Sequence, residues 1–162
     1  MTTVRTQRLL KGLSLILLLA GLSACGQQGA QDELSLDRKG DWTFVNYWAK
    51  WCKPCIQEVP ELNLLHAREG IRVLGVNYDG AVGEELQAQL EKLNVQFPTL
   101  PEDPAARYEI ERPQVLPTTL VINPQGELSA VLIGPQTEAS LLNAAGLAEN
   151  HGATADHSSG PA

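Results

Sequence analysis

Two cysteines separated by two residues stand in the segment Trp51-Cys52-Lys53-Pro54-Cys55, a spacing typical of a redox-active dithiol. At the start of a helix, this gap lets the two sulfur atoms reach bonding distance across one turn. Free N–H groups and the positive end of the helix dipole stabilise a thiolate there, and Lys53 adds a positive charge. Pro54 suits the first helical turn. We therefore expect Cys52 to be the exposed attacking thiol and Cys55 to be the buried thiol that resolves a mixed disulfide.

The same cysteine spacing also occurs in zinc sites, which need two further ligands. The candidate ligands are His66, His151 and His157, and the last two lie in a polar segment far from the cysteines. Copper(I) transfer is a second alternative because two thiolates suit that ion. No histidine or methionine stands near the pair to support it. The sequence therefore predicts no metal site.

Glu58 lies three positions after Cys55, so a helix places it one turn beyond that cysteine and on the same side. A buried carboxyl at this point would titrate at high pH and could exchange a proton with Cys55. A solvated first-turn glutamate that favours the helix dipole fits the spacing equally well. Spacing alone leaves both interpretations open.

Pro117 stands in Val115-Leu116-Pro117-Thr118-Thr119, directly before an apolar stretch. A cis proline there could expose the backbone of Leu116 to a bound substrate chain. A plain turn proline that opens a strand is the alternative, and the sequence alone favours it.

Apolar runs and helical patterns alternate along the middle of the chain, as expected for elements that hold these residues in place. We predict strands over residues 42–48, 71–78, 118–122 and 128–133, and helices over residues 54–68, 84–93, 105–110 and 137–147. Strands that alternate with helices and then form a hairpin indicate an α/β fold. Its centre is a mixed β-sheet with helices on both faces.

The N-terminus has the pattern of a targeting peptide. Three basic residues (Arg5, Arg8 and Lys11) precede the apolar run of residues 12–22, which is too short to span a bilayer. The segment Leu22-Ser23-Ala24-Cys25 resembles a bacterial lipobox, in which the cysteine is lipidated. We predict lipidation of Cys25 and anchoring to a membrane, with an ordinary secretory signal as the alternative.

Four segments follow from these patterns: a signal peptide over residues 1–24, a lipidated cysteine with a flexible tether over 25–33, one folded domain over 34–148, and a disordered polar tail over 149–162. Gly26 follows the lipidated position where an aspartate would be a retention signal. This favours the outer membrane over the inner one and places the domain at the periplasmic face.

The net charge is −7, and it becomes −10 without the first 24 residues, with nine bases against nineteen acids. A nucleic-acid binder needs a basic face to displace counterions from phosphate, so the balance argues against that class.

The segment WTFVNYWAKWCKPCIQEVP resembles the active-site segment of the thioredoxin superfamily, and in particular its TlpA/ResA-like branch of membrane-anchored extracytoplasmic thiol–disulfide oxidoreductases. VLGVNYDG, FPTLPED and LPTTLVINPQGEL resemble that branch in the same order, and the similarity covers roughly residues 34–148. The resemblance implies a thioredoxin-like fold. It also implies that Glu58 lies beneath the dithiol, that Pro117 is cis, and that Asn46 replaces the buried aspartate of cytosolic thioredoxins.

The resemblance further implies an enzyme that reduces protein disulfides, with Cys52, Cys55 and Glu58 as catalytic residues. Trp51, Lys53, Pro54 and Pro117 would support the site, and Trp51 and Leu116 would contact substrate. No cofactor beyond the redox-active disulfide is expected. Electrons would come from a DsbD-like or CcdA-like membrane donor to a monomeric lipoprotein acting in cytochrome c maturation or periplasmic thiol maintenance. The alternatives are a disulfide oxidase or isomerase, and a lipoprotein that binds Cu(I) or thiols without catalysis.

Overall fold

The computed structural model describes residues 33–148. The chain divides into two compact units, residues 1–36 and residues 37–162, and the elements below all belong to the second. The predicted signal peptide, the lipidated Cys25, nearly all of the tether and the polar tail lie outside the described residues.

Within residues 37–148, four strands and four helices follow the predicted order: β1 (Trp42–Trp48), α1 (Lys53–His66), β2 (Ile71–Asn77), α2 (Gly83–Leu93), a 3₁₀ helix (Ala105–Tyr108), β3 (Thr118–Ile122), β4 (Leu128–Ile133) and α3 (Glu138–Ala144). Strands β1, β3 and β4 have the predicted bounds. The last helix is shorter than the predicted 137–147: Thr137 is its N-cap, in a capping box with Ser140, and Ala145 is its C-cap, followed by Gly146 with a φ of 68°.

The four strands form one mixed sheet in the order β2-β1-β3-β4, which confirms the predicted fold class. Strand β2 runs parallel to β1, whereas β3 is antiparallel to β1 and β4 is antiparallel to β3. Helix α1 is the crossover between the two parallel strands, as a parallel pair requires. The central position of β1 explains why six of its seven residues are buried.

The two faces of the sheet are covered by different segments. Phe44 lies on one face, in a core with residues of α1, β3 and α3: Leu62, Leu65, Val121, Leu141 and Leu142. Neighbouring strand residues point to opposite faces. Tyr47 therefore lies on the other face, where its hydroxyl donates to Asp103 at 2.7 Å, two residues before the 3₁₀ helix.

Asp103 ties the segment between β2 and β3 to the sheet. Besides Tyr47, it accepts the backbone N–H of Ala105 at 2.9 Å and pairs with Arg112 at 2.8 Å. The Arg112 guanidinium also donates to the carbonyl of Tyr78 at 2.8 Å and lies 4.0 Å from the centre of the Tyr78 ring. Asp103 and Arg112, which bracket the 3₁₀ helix, are thus both anchored.

The outer edge of β2 is covered at Gly75. Its N–H donates to Pro98 and its carbonyl accepts from Leu100, both at 2.8 Å. A Cβ atom on Gly75 would lie 2.8 Å from Nε1 of Trp48 and 3.1 Å from Oγ1 of Thr99. The strand therefore needs a glycine here because its neighbours fill the space of a side chain.

We expect Gly75→Ala to lower the free energy of unfolding by about 1–3 kcal/mol, the usual cost of overpacking a core. Urea unfolding followed by circular dichroism measures the change. Trp48→Phe removes the indole nitrogen that the new methyl group would meet. Gly75→Ala should therefore cost less in that background, and equal costs in both backgrounds would contradict the steric explanation.

Candidate active site

Three segments meet at one end of the sheet. Parallel pairing of β1 with β2 places Trp48 opposite Asn77, so the residues that follow both strands lie side by side. Antiparallel pairing places Tyr47 opposite Thr118, so the residues that precede β3 arrive at the same end. The predicted site residues that follow β1 and those that precede β3 are therefore brought together by strand register.

Cys52 and Cys55 form a disulfide at this point, with their Cα atoms 5.3 Å apart. Cys52 is the N-cap of α1, and its sulfur accepts the backbone N–H of Cys55 at 3.3 Å. Lys53 and Pro54 are the first two helical residues, and Lys53 is exposed. The start of α1 therefore directs a free N–H at the Cys52 sulfur, as an N-cap residue requires.

The expectation that Cys52 is exposed is wrong for the disulfide form. Cys52 is 4% exposed and Cys55 is 2% exposed. Both sulfurs pack in an apolar cluster with Trp48 and Ala49, and Leu116 lies against this cluster. Cys52 is covered by side chains that precede α1 and by the loop before β3, and a prediction from helix position alone does not include these contacts.

Trp51 is the exposed residue of the motif, with 62% of its surface accessible. Its indole N–H lies 3.0 Å from both carboxylate oxygens of Asp79, two residues after β2 ends. A donor shared with an ionised carboxylate makes a strong hydrogen bond. Asp79 was not among the site residues expected from the sequence, because nothing in the spacing of residues 51 and 79 shows that the two strand ends are neighbours.

Glu58 is buried, with 2% of its surface exposed. One carboxyl oxygen accepts the backbone N–H of Gln136 at 2.9 Å, and the other accepts the side-chain amide of Asn46 at 3.2 Å. Burial raises the pKa of Glu58 from its ordinary value of 4.5 to about 7, against the lowering effect of the two donors. The structure therefore favours the buried carboxyl over the solvated one.

Asn46 was expected from the resemblance to replace a buried aspartate, but it was not among the predicted site residues. It is 1% exposed, and the same amide nitrogen donates to Thr119 Oγ1 at 2.9 Å. The signal was present in the sequence, because Asn46 is a polar residue in the middle of the otherwise apolar and aromatic strand WTFVNYW. A buried polar side chain needs partners, and its partners here come from α1 and β3.

The Leu116–Pro117 peptide bond is cis, which confirms the expectation drawn from the resemblance. Pro117 is buried, and Leu116 is half-buried against the disulfide cluster. Beside them lies a groove of about 320 Å³ with a mainly apolar lining: Ile110, Glu111, Arg112, Pro113, Gln114, Val115, Thr118, Val131 and Ile133. An exposed apolar groove is thus continuous with the loop that touches the disulfide.

Within residues 33–148, no three side chains of the metal-ligating types lie close enough together to hold an ion. No helix in that range has the length and hydropathy needed to cross a bilayer. The predicted lipidation of Cys25 falls outside the range.

The sequence profile of the AhpC/TSA family matches residues 21–131. The chain is 33% identical over 119 residues to the thiol-disulfide oxidoreductase ResA of Bacillus subtilis, covering 70% of this chain and 64% of the relative. ResA of Geobacillus kaustophilus is 31% identical over 117 residues, covering 68% of this chain and 64% of the relative. The chain thus spans a little under two thirds of the length of these curated relatives.

The fold is also similar to solved structures. A DsbF homologue from Corynebacterium diphtheriae superposes with a TM-score of 0.58 at 25% identity, over 67% of this chain and 72% of that one. The described domain has a thioredoxin-like fold.

The high pKa of Glu58 predicts how stability depends on pH in the oxidised protein. Its pKa is about 7 when folded and near 4.5 when unfolded, so the folded state binds the proton more tightly. Stability should be greatest below pH 4.5 with respect to this group and fall by about 3 kcal/mol as the pH rises through 7. Urea unfolding across this range measures the effect. Glu58→Gln should remove this part of the pH dependence, and parallel curves for the two proteins would contradict the assignment.

Proposed function

Because the chain belongs to the AhpC/TSA family of thioredoxin-like proteins, we propose that it is a thiol–disulfide oxidoreductase that works through the Cys52–Cys55 pair. The observation that carries this proposal is the disulfide at the start of α1, with a buried carboxyl one turn below it. The names of the ResA relatives support the same activity. Cys52, Cys55 and Glu58 are the proposed catalytic residues.

The reaction begins with both cysteines reduced. The Cys52 thiolate, stabilised by the Cys55 N–H and the helix dipole, attacks one sulfur of a substrate disulfide. A Cys52–substrate disulfide forms, and the other substrate sulfur leaves as a thiolate that takes a proton. Lys53 adds positive charge at the same helix end, and Pro54 fixes the first turn without requiring an N–H partner.

Cys55 completes the exchange. The Glu58 carboxylate takes the thiol proton of Cys55, and the resulting thiolate attacks the Cys52 sulfur. The second substrate sulfur leaves as a thiolate, and the Cys52–Cys55 disulfide of the structure forms. Two electrons pass from the enzyme to the substrate. A carboxyl with a pKa of about 7 is suited to this step, because it can both accept and return a proton near neutral pH.

The substrate is proposed to be an extended polypeptide segment that lies across Leu116 and Trp51. A substrate sulfur that reaches Cys52 must pass the loop that precedes β3, because Leu116 packs against the disulfide cluster. The apolar groove continues in that direction, with Val115 and Ile133 exposed by 52% and 67%. Leu116 and Pro117 would present backbone to the substrate, and apolar substrate side chains would enter the groove.

We further propose that the protein acts outside the cytoplasm as a lipoprotein anchored through Cys25, as a monomer, with the outer membrane favoured. The lipobox-like sequence and the resemblance to the TlpA/ResA branch support this placement. A reductase in an oxidising compartment needs an electron supply, and a DsbD-like or CcdA-like membrane protein is the proposed donor. Cytochrome c maturation and the maintenance of periplasmic thiols are the proposed settings.

We expect the reduced protein to cleave the interchain disulfides of insulin, with turnover driven by dithiothreitol. Cys52→Ser should abolish this activity, whereas Cys55→Ser should accumulate a mixed disulfide because the resolving thiol is absent. Mass spectrometry of the Cys55→Ser protein after exposure to a disulfide peptide identifies the adduct. An adduct on Cys55 in the Cys52→Ser protein, with none in Cys55→Ser, would reverse the assigned roles.

The reduction potential decides the direction of the reaction. We expect a value near or below about −250 mV, in the range of thioredoxin, from equilibration with dithiothreitol or glutathione buffers. A value of about −120 to −180 mV would instead indicate an oxidase or isomerase, and the membrane electron donor would then be dropped.

The Asp79 contact predicts a specific effect on substrate binding. Asp79→Ala frees the Trp51 indole, so the exposed ring should lose its fixed orientation and KM for a disulfide peptide should rise several-fold. Asp79→Asn keeps an acceptor oxygen and should retain part of the effect. Steady-state kinetics measures both, with the reduction potential as the control. A changed potential with an unchanged KM would contradict the proposed binding role.

A further inference from the structure

The side chain of Asn46 links the carboxyl of Glu58 on α1 to the hydroxyl of Thr119 on β3. Both hydrogens of its amide nitrogen are committed, one to Glu58 at 3.2 Å and the other to Thr119 Oγ1 at 2.9 Å. The side chain lies on β1 in the centre of the sheet and is 1% exposed. Among the described residues, Asn46 is the only side chain that donates to Glu58.

The groups that face the Glu58 carboxyl from each neighbouring element show why the hydrogen bond from Asn46 affects its protonation. From α1, the nearest titratable groups are Cys55, bonded here to Cys52, and Glu61, whose carboxylate accepts the N–H of Glu138. From the segment before α3 comes the backbone N–H of Gln136, which donates in either protonation state. From β1 and β3 come the neutral side chains of Asn46 and Thr119. Within residues 33–148, no cationic side chain contributes to the pKa of Glu58.

A carboxamide carries donors on one side and an acceptor on the other, and a hydroxyl can both donate and accept. In the orientation described, Asn46 donates to the ionised carboxylate while Thr119 accepts. If Glu58 is protonated and the amide turns over, Asn46 Oδ1 accepts the acid proton of Glu58. Thr119 then turns its hydroxyl to donate to the same oxygen. The Glu58 carboxyl and the Thr119 hydroxyl therefore each keep Asn46 as a partner in both states.

We propose that Asn46, oriented by Thr119, is a positioning residue that sets the proton affinity of Glu58 and follows its protonation by turning over its amide. The inference rests on the proposed function, because it describes how the proton acceptor for Cys55 is held ready for repeated cycles. A hydrophobic residue at position 46 would leave the buried carboxylate with one donor fewer, and an acidic residue would repel it.

Carbon-13 NMR of the Glu58 carboxyl in the oxidised full-length protein measures the proton affinity directly. We expect Asn46→Leu to raise the titration midpoint by about one pH unit or more, because a hydrogen bond to an ionised group is lost. An unchanged midpoint in an Asn46→Leu protein with native near-UV circular dichroism would overturn the proposal. Asn46→Asp should also raise the midpoint, since two carboxyls would then share the site.

Two measurements keep the test independent of whether Asn46→Leu folds. In the unaltered protein, the side-chain nitrogen-15 signal of Asn46 should titrate with the same midpoint as Glu58, which a merely structural amide would not do. Thr119→Ser keeps the hydroxyl and should keep the midpoint, whereas Thr119→Val removes the hydroxyl and should raise it. An Asn46 signal that does not respond to pH, or equal midpoints in the two Thr119 variants, would overturn the proposal.

A failure of the proposed oxidoreductase activity can be distinguished from a failure of the role proposed for Asn46. If the reduced protein exchanges no disulfides, the oxidoreductase assignment falls, but the NMR midpoints still decide the role of Asn46. If exchange occurs and its pH profile in Thr119→Val moves with the Glu58 midpoint, both proposals stand. A profile that stays in place while the midpoint moves would overturn the link between Asn46 and the reaction.

Discussion

A carboxyl group that has two neutral N–H donors, and no cationic partner among the described residues, lies at the junction of α1, β1, β3 and the segment that leads into α3. Burying Glu58 there is unfavourable for its ionised form, and the two N–H donors offset only part of that cost. The donors come from different elements, so the carboxyl is satisfied only when the helix, the central strand and the C-terminal segment are all in register. The proposed proton acceptor for Cys55 therefore has all its hydrogen-bond partners only in the correctly packed fold.

The rest of the site follows from strand direction. In sheets with parallel strands, ligands and reactive groups gather at the carboxyl ends of those strands. Here the cysteine motif follows β1 and Asp79 follows β2, so both lie at that end of the sheet. Antiparallel β3 begins at the same end. The loop around Pro117 and the disulfide are thus neighbours although more than 60 residues separate them in sequence.

The sequence predicted the strands well because their apolar and β-branched runs are bounded by clear turn residues. It predicted a redox dithiol and not a metal site because no further metal ligand stands near the two cysteines in the sequence. The burial of Glu58 was undecided from spacing alone, since helical periodicity gives a side and not the depth of what covers it. Asp79 and the exposure of Cys52 depend on contacts between distant segments, which one sequence does not display.

The anchored ends of the segment around the 3₁₀ helix have a consequence for how such a protein can diverge. Asp103 and Arg112 are fixed to the sheet through Tyr47 and Tyr78, and they also bind each other. The stretch between them is therefore held at both ends, and we expect substitutions of its exposed residues to leave the loop before β3 in place. Variation there would reshape the walls of the groove at Ile110 and Glu111 without moving the sulfurs.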